Sequence, residues 1–198
     1  MLTLYFSPGS SAMATHIALH EVGVPFEARP TLLYKNAHRS PEYLAIHAEG
    51  KVPTLVIDGR PLTEVAATLW YLARRYPSAG LLPQQGDIEA EARVISWMSF
   101  IASTLHTARF QGLEHVKAMW KIADQKLGAS EWAVGSYSIA DIHLFRLYWR
   151  LIRSVKLEPG AYPNLSAHHE RMMLRPAVRR TIEIESALGY ELPAFPTS

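Results

Sequence analysis

The sequence predicts an α/β domain of βαβ-ββα order followed by an all-α helical bundle. Two observations predict this fold class. Strand-like and helix-like segments alternate up to residue 76, whereas only helical spacing of apolar residues follows residue 86. The stretch 77–86 is rich in proline and glycine, which is typical of a linker. We therefore expect an N-terminal domain at 1–76 and a helical domain at 87–198.

The opening residues predict a strand, a helix and a second strand. Leu2–Phe6 is a short apolar run, and the breakers that follow it end the first strand. Apolar residues at helical spacing then extend from Ala14 to Val22, and Gly23 stops this helix. Phe26–Leu33 predicts the second strand. Two strands joined through a helix form a parallel pair with a right-handed crossover.

A short helix, a hairpin and a longer helix complete the first domain. Ser40-Pro41 predicts a cap with proline at the first helical position, in a helix that runs toward His47. Asp58-Gly59 separates two short extended runs, and this dipeptide is the strongest local signal for a hairpin. Thr63 is the expected N-cap of the last helix, where Glu64 places a carboxylate at the positive helix end.

The hairpin region also has features that suit a ligand. Pro53 favours an extended Val52, whose backbone groups can pair with an extended peptide. The helix start that follows offers donors to a carboxylate, and Glu64 offers an acceptor to an amine. These features suit a small zwitterionic peptide. The alternative is a strand, a hairpin and a capped helix without a ligand.

The second domain is predicted to be a bundle of helices. Ser138 and Asp141 form a variant of the capping box at the start of one of them, and we assign this pair to folding. The helical segments are Asp87–Thr107, His115–Leu127, Ser138–Val155, Asn164–Leu174 and Pro176–Leu188.

One predicted helix of the bundle carries a polar stripe. Its residues recur at intervals of three and four, so they share one face. Small hydroxyls on a helix can allow close packing or a subunit contact; alternatively, this face lines a cleft against the first domain. The stripe consists of Ser96, Ser99, Ser103 and His106.

Two further sets of polar residues are predicted to lie on solvated helix surfaces. The first is a basic stripe on one helix face, and the second is two pairs of histidines. The histidines lack a third ligand at a recognisable spacing, so they predict no metal site. The sets are His143, Arg146, Arg150 and Arg153, and His16, His20, His168 and His169.

Composition excludes several functions. The net charge is +2, from 20 lysines and arginines against 18 acidic residues, so no strong field attracts nucleic acid or a membrane. The absence of cysteine excludes disulfides, a cysteine nucleophile and thiolate metal sites. No apolar run is long enough to span a membrane. We expect a soluble cytoplasmic protein without a metal, in which any sulfur chemistry comes from a bound thiol.

Val52-Pro53, the hairpin and Thr63-Glu64 at a helix start resemble the glutathione-binding half of the glutathione S-transferase family. The thioredoxin-like domain of that family carries a cis-proline after the valine. The resemblance covers nearly the whole chain, and Ser7-Pro8-Gly9-Ser10-Ser11 most resembles the bacterial beta class. Ser11 stands where that class has a cysteine, so it can donate a hydrogen bond to a thiolate but cannot form a mixed disulfide.

The resemblance implies a thiolate-stabilising group near the bound sulfur. A free thiol titrates near pH 8.5, and a hydroxyl donor with a helix N-terminus lowers that pKa. Ser11 is the first candidate donor, Ser10 the second and Tyr5 the third, while both serines could instead cap the helix. His106 matches a histidine near the sulfur in the beta class; the alternative is a packed helix histidine.

The resemblance also implies a set of glutathione-binding residues. The γ-glutamyl end would meet an acidic residue at the helix start, the cysteinyl residue would pair with the backbone before the cis-proline, and lysines would meet the glycyl end. Two positions depart from the family pattern, one with valine in place of a small residue and one with serine in place of asparagine. The binding residues are Glu64 for the γ-glutamyl end, Val52 and Pro53 for the cysteinyl residue, and Lys35 and Lys51 for the glycyl end. The two departures are Val65, in place of a small residue, and Ser99, in place of asparagine.

We therefore expect a homodimeric glutathione transferase that adds the glutathione thiolate to a hydrophobic electrophile. Glutathione is its co-substrate, and nucleic acid and membrane are not expected partners. One alternative is a non-catalytic member of the family that serves as a binding or regulatory protein. Another is a glutathione-dependent isomerase or dehalogenase on the same scaffold.

Overall fold

The computed structural model of the 198-residue chain describes residues 1–190. Two compact units account for these residues. The first contains Met1–Ala79 and the helix Pro176–Leu188, and the second contains Gly80–Arg175. The domain boundaries at residues 76 and 87 stay predictions, and the end of the predicted helical domain, 191–198, lies outside the described residues.

The first unit contains a four-stranded mixed sheet of order β2-β1-β3-β4. Strand β1 (Leu2–Phe6) lies parallel to β2 (Phe26–Pro30) and antiparallel to β3 (Thr54–Ile57), which pairs antiparallel with β4 (Arg60–Thr63). The parallel pair is joined through a helix, as the opening of the chain predicted. The predicted α/β fold class is confirmed.

The hairpin between β3 and β4 has the turn that its sequence predicts. Asp58 and Gly59 both have positive φ, 48° and 81°. Two consecutive positive φ values are typical of a type I′ turn, whose twist matches that of the flanking strands. Asp58-Gly59 therefore sets the register that brings Thr54 opposite Thr63.

Helices cover the sheet of the first unit. They are α1 (Ala12–Val22), α2 (Pro41–Leu44), α3 (Val65–Arg75) and α8 (Pro176–Leu188). Helix α1 lies against α3 and α8, and its residues Ala12–Leu19 are all buried. At the start of α2, the Ser40 hydroxyl accepts a hydrogen bond from the Tyr43 N–H at 3.2 Å, which confirms this cap.

The predicted cap of α3 is wrong by one residue. Thr63 is the last residue of β4, and Glu64 occupies the N-cap position without a side-chain capping hydrogen bond. Because strand pairing continues to Thr63, the chain turns from strand to helix within Glu64 alone. Glu64 therefore adopts φ 69° and ψ 128°, a strained backbone for a residue with a side chain.

The second unit is built from helices and short turns. The predicted segment Asp87–Thr107 is not one uniform helix, because a π-helical turn at Ile101–Leu105 and a 3₁₀ turn at Thr107–Gln111 follow its first part. The α-helices are α4 (Ile88–Phe100), α5 (Leu113–Leu127), α6 (Ile139–Ser154) and α7 (Pro163–Met173). Within residues 1–190, every helix is too short or too polar to cross a membrane.

The capping box of α6 is confirmed. The Asp141 carboxylate accepts from the Ser138 backbone N–H at 2.9 Å, and the Ser138 hydroxyl accepts from the Ala140 N–H at 3.2 Å. The other Asp141 oxygen accepts from the Ala133 N–H at 2.8 Å and contacts His168 Nε2 at 3.0 Å. His168 is buried, so its predicted place on the surface is wrong.

The basic stripe on α6 is largely buried, contrary to the predicted solvated face. His143 and Arg146 are 2% and 4% exposed, and only Arg153 at the end of the stripe is exposed to solvent. Helix α6 packs against α4, α7 and the π-helical turn, so side chains on most of its faces are covered. A stripe of charged residues marks the solvent-exposed face of a helix at the protein surface, but α6 is covered on most sides, so the rule does not apply to it.

Candidate functional site

The loop between β1 and α1 carries the two candidate serines. Pro8 and Gly9 form a turn that the Ser10 N–H closes by donating to the Ser7 carbonyl at 3.0 Å. Gly9 has φ 68°, the positive value that a type II turn requires at its third position. The Ser7 hydroxyl accepts from the Leu33 N–H at 3.3 Å and joins this loop to the chain after β2.

The Ser11 hydroxyl does not cap α1. Ser11 occupies the N-cap position with helical backbone angles, and its side chain makes no capping hydrogen bond. Instead, its hydroxyl donates to the Val52 carbonyl at 3.0 Å. The structure thus brings the first-choice serine to the segment before the cis Val52-Pro53 bond.

Ser10 and Tyr5 are engaged elsewhere. The Ser10 hydroxyl accepts from the Ala12 N–H at 3.2 Å and so satisfies a donor at the start of α1. The Tyr5 hydroxyl accepts from Arg29 at 3.0 Å, and the Tyr5 ring lies 5.5 Å from that of Tyr43. Both hydroxyls have local partners, which leaves Ser11 as the one directed toward Val52.

The Val52-Pro53 segment is held by neighbouring side chains. The buried Tyr43 hydroxyl donates to the Lys51 carbonyl and shares a hydrogen bond of 2.9 Å with the Thr54 hydroxyl. Burial raises the pKa of Tyr43, so this hydroxyl keeps its proton. The backbone that precedes Pro53 is thereby fixed, while Lys51 itself extends to solvent.

Opposite charges lie next to this segment. The Lys51 ammonium pairs with Glu49, which is the main reason that its pKa is raised, and the Glu64 carboxylate makes a smaller contribution. Glu64 is exposed, and Val65 is the first residue of α3, where a backbone N–H has no acceptor within the helix. An exposed carboxylate, a helix N-terminus and a lysine therefore occupy one end of the hairpin.

Two other predicted binding residues lie on surfaces. Lys35 is exposed in a 3₁₀ turn, with its ammonium 5.6 Å from the centre of the Tyr34 ring. Ser99 belongs to the second unit and is exposed on α4, where its carbonyl accepts from the Ser103 hydroxyl at 2.8 Å. The other serine of that stripe, Ser96, is also exposed.

His106 follows the π-helical turn in the second unit. The His106 backbone N–H donates to the Ile101 carbonyl at 2.9 Å, so the π-helical turn determines the backbone position of His106. Burial lowers the pKa of His106 to about 4, and the positive charges of Arg146 and Arg109 lower it further. Its imidazole is therefore neutral at pH 7 and can act as a hydrogen-bond donor or acceptor but not as a cation.

His143 and Arg146 are residues of this region that the sequence patterns missed. Burial lowers the pKa of His143 to about 3, with Arg146 and His106 as the further causes. His106 and His143 are thus two neutral imidazoles close enough to the Arg146 charge for it to lower the pKa of both. The mixture of basic and apolar residues on α6 carries the signal, but that pattern by itself predicts a solvated face.

A buried pair behind the serine loop was also missed. The Glu185 carboxylate accepts from the Gly9 N–H at 2.7 Å, and its other oxygen lies 3.0 Å from His16 Nδ1. His16 is fully buried, so its predicted place on the surface is wrong. Glu185 follows Val178 and Thr181 on the buried face of α8, and an acidic residue on that face was the available signal.

Comparisons with known proteins agree with this architecture of a thioredoxin-like domain and a helical unit. The models of the glutathione S-transferase N-terminal domain and C-terminal domain match residues 9–75 and 93–176. The chain therefore belongs to the glutathione S-transferase family.

Bacterial members of the family are similar over nearly the whole chain. Glutathione S-transferase GstA of Escherichia coli O157:H7 is 29% identical over 93% of this chain and 98% of its own. A beta-class enzyme of Sphingomonas chungbukensis is 34% identical, with a TM-score of 0.82 over 93% of this chain and 98% of its own. A sphingomonad glutathione S-transferase solved with glutathione is 32% identical, with a TM-score of 0.83 over 92% and 98%.

Proposed function

We propose that this protein is a glutathione transferase that binds glutathione at the serine loop and the Val52-Pro53 segment. The observation that carries the proposal is the Ser11 hydroxyl, which does not cap its helix and donates to the Val52 carbonyl at 3.0 Å. Glutathione-bound relatives of the same fold support the choice of ligand. The reaction joins the glutathione sulfur to an electrophilic carbon of a hydrophobic substrate, which loses a leaving group or gains a proton.

Glutathione binding would exchange the hydrogen bond of Ser11. Backbone groups of an extended Val52 can pair with the cysteinyl residue of the ligand, whose N–H would then donate to the Val52 carbonyl. The Ser11 hydroxyl, released from that carbonyl, would donate to the sulfur. A hydrogen bond to the anionic form lowers the pKa of the thiol below its usual value of about 8.5 and raises the fraction of reactive thiolate.

The ends of glutathione match the charges beside the hairpin. Glu64 would accept from the γ-glutamyl ammonium, and the Val65 N–H would donate to the adjacent carboxylate. Valine lacks the hydroxyl that the family usually supplies at this position, a loss of about 1 kcal/mol, or about fivefold in affinity. Lys35 and Lys51 would meet the glycyl carboxylate, with Pro53 holding Val52 in place.

We also propose that the second unit supplies the electrophile side of the reaction and that the enzyme is a cytoplasmic homodimer. His106, neutral at pH 7, can exchange a proton or a hydrogen bond with the electrophile. A surface hollow of about 490 Å³ on α3, lined mainly by apolar side chains, suits contact with a second copy. Its lining residues are Leu62, Ala67, Trp70, Tyr71, Arg74 and Arg75. Ser99, in place of the family's asparagine, would face the partner's glutathione.

Calorimetric titration with reduced glutathione tests the binding site. We expect binding in the micromolar to millimolar range, abolished or strongly weakened in Glu64→Ala because the ammonium of the ligand loses its acceptor. Glu183→Ala, which removes an exposed carboxylate paired with Arg180 on α8, is the matched control and should bind like the wild type. If the wild type does not bind glutathione, or if both variants behave alike, the proposed site is wrong.

A further inference from the structure

The Glu185 carboxylate on α8 lies fully buried behind the serine loop. One of its oxygens accepts from the Gly9 backbone N–H at 2.7 Å, and the other contacts His16 Nδ1 on α1 at 3.0 Å. Both side chains have no exposed surface. A single carboxylate thus joins α8, α1 and the loop that carries Ser11.

A carboxylate without solvent persists in a folded protein only when hydrogen bonds compensate for its lost hydration. The short contact with the Gly9 N–H is one of these compensating hydrogen bonds, so it restrains the loop as well as satisfying Glu185. A hydrogen bond joins the second Glu185 oxygen to His16 Nδ1, and this contact fixes the orientation of the carboxyl group. His16 in turn packs between the rings of Phe6 and Phe26, at 4.9 and 5.8 Å.

Gly9 lies two residues before Ser11, at the point where the loop turns. The hydrogen bond that closes the turn uses the Ser10 N–H, which leaves the Gly9 N–H to Glu185. The hydrogen bond from Gly9 to Glu185 therefore restrains the middle of the turn, and the first residues of α1 restrain its C-terminal end. The position of the Ser11 hydroxyl against Val52 depends on both restraints.

We propose that Glu185, oriented by His16, is a positioning residue that holds the serine loop so that the Ser11 hydroxyl meets the glutathione sulfur. The proposal rests on the proposed role of Ser11. Glu185 is fully buried and contacts the Gly9 backbone, so it acts through Gly9. A displacement of about 1 Å can lower a catalytic rate by up to about a hundredfold, which is the scale on which the loss of such a restraint is felt.

A double-mutant cycle on kcat, measured with reduced glutathione and 1-chloro-2,4-dinitrobenzene as the electrophilic probe, tests this coupling. Glu185→Ala should lower kcat at least about tenfold while leaving the affinity for S-methylglutathione, which has no thiol proton, within about threefold. In a Ser11→Ala background, the same Glu185→Ala change should lower kcat no further, because the hydroxyl that it positions is already gone. Glu183→Ala on the exposed face of the same helix is the control and should match the wild type.

Conservative variants distinguish hydrogen bonding from simple packing and remain informative if Glu185→Ala does not fold. Glu185→Gln keeps an oxygen that accepts from the Gly9 N–H, and its amide N–H can donate to His16 Nδ1 in the tautomer protonated at Nε2. Its kcat should therefore be close to that of the wild type and well above that of Glu185→Ala. His16→Asn keeps a donor and should resemble the wild type, whereas His16→Phe keeps a ring without the donor and should lower kcat.

Each failure has its own signature. Wild-type protein without transferase activity, or an undiminished rate in Ser11→Ala, would overturn the proposed function. An active wild type that loses rate in Ser11→Ala but keeps it in a folded Glu185→Ala would overturn the positioning role alone. Additive effects of the two substitutions would do the same, because they would mean that Glu185 acts by a route other than Ser11.

Discussion

The Ser11 hydroxyl faces the Val52 carbonyl rather than the open N-terminus of α1, and this orientation distinguishes it from Ser10. A hydroxyl at a helix start usually satisfies a backbone N–H of the first turn. Ser10 does so at Ala12, which leaves the Ser11 hydroxyl for another acceptor. In the proposed mechanism, the glutathione sulfur becomes that acceptor.

Replacing Ser11 with alanine should lower kcat about a hundredfold, the usual effect of removing one donor to a developing anion. The KM for glutathione should change little, because the backbone of Val52 and the charge of Glu64 still hold the ligand. Ser10→Ala is the matched control. It should lose some stability, because the Ala12 N–H loses its acceptor, and should keep a nearly normal kcat. Steady-state kinetics at pH 7 distinguish the two, and a larger loss of kcat in Ser10→Ala would reverse the assignment.

Gly50 is required by its surroundings as well as by its backbone. A Cβ atom there would lie 2.5 Å from the His38 carbonyl oxygen, and its φ of 58° disfavours other residues. Gly59 in the hairpin also has positive φ, 81°, but a Cβ atom there would meet nothing within 4 Å. An added side chain at Gly59 would therefore meet backbone strain alone, whereas one at Gly50 would meet both backbone strain and a steric conflict.

We expect Gly50→Ala to destabilise the protein by about 2 kcal/mol or more and to weaken glutathione binding, because the backbone beside Lys51 and Val52 must shift. Gly59→Ala should lose about 1 kcal/mol from strain alone and bind glutathione normally. Urea denaturation and calorimetry measure these effects. Equal losses in the two variants would mean that the contact with His38 is relieved elsewhere.

At the scale of elements, the start of α6 is joined to the rest of the second unit through Asp141. Its carboxylate completes the capping box with Ser138, accepts from the Ala133 N–H and contacts the buried His168. A cap that only closed the helix would serve one element. Asp141 also joins α6 to α7 through His168 and to the loop before α6 through Ala133. Replacing Asp141 therefore affects packing between these segments as well as the helix cap.

Asp141→Ala should therefore lower the free energy of unfolding by about 3 kcal/mol, more than the loss of about 1 kcal/mol for a cap alone. Asp87→Ala is a suitable comparison, since Asp87 caps α4 through one exposed hydrogen bond to the Ala90 N–H at 2.9 Å. Chemical denaturation followed by circular dichroism gives both values. An Asp141→Ala protein as stable as Asp87→Ala would limit Asp141 to capping.

At the scale of the whole molecule, several histidines have lowered pKa values. Burial is the main cause for His20, His106 and His169, whose pKa values fall to about 4, and for His143, whose value falls to about 3. The unfolded chain takes up protons at these positions near pH 6.5, whereas the folded protein does not. The stability that these four neutral histidines contribute is therefore fully present above pH 6.5 and decreases as the pH falls toward 4.

We expect the melting temperature to decrease steadily from pH 7 to pH 5, before most carboxylates titrate. His143→Gln should reduce the slope of this decrease, because it removes one histidine that stays neutral only when folded. Differential scanning calorimetry at several pH values measures both slopes. A melting temperature that does not change over this interval would mean that these histidines titrate alike in the folded and unfolded chains.

The proposed dimer can be tested at the apolar hollow on α3. Trp70→Glu places a charge on that surface, and we expect the variant to be monomeric because burying an unpaired carboxylate is unfavourable. Leu174→Glu changes an exposed apolar residue of the second unit, 70% exposed, and should leave the dimer intact. Light scattering during size-exclusion chromatography gives the two masses. A dimeric Trp70→Glu protein would move the interface away from α3.

The amino-acid sequence by itself determined the features that depend on neighbouring residues. The Asp58-Gly59 turn and the Ser138-Asp141 capping box follow from local backbone preferences, and the structure confirms them. The Val52-Pro53 segment was recognised for the same reason, because a proline constrains the residue before it.

Only the tertiary structure decided which polar residues are buried. His16, His168, His143 and Arg146 were predicted to lie on surfaces, yet each is covered by segments far away in sequence. Glu185 meets Gly9 across 176 positions of the chain, a contact that no periodicity encodes. A helical pattern indicates which residues share a face, but what covers that face depends on packing, and burial then determines the charge and the partners of each side chain.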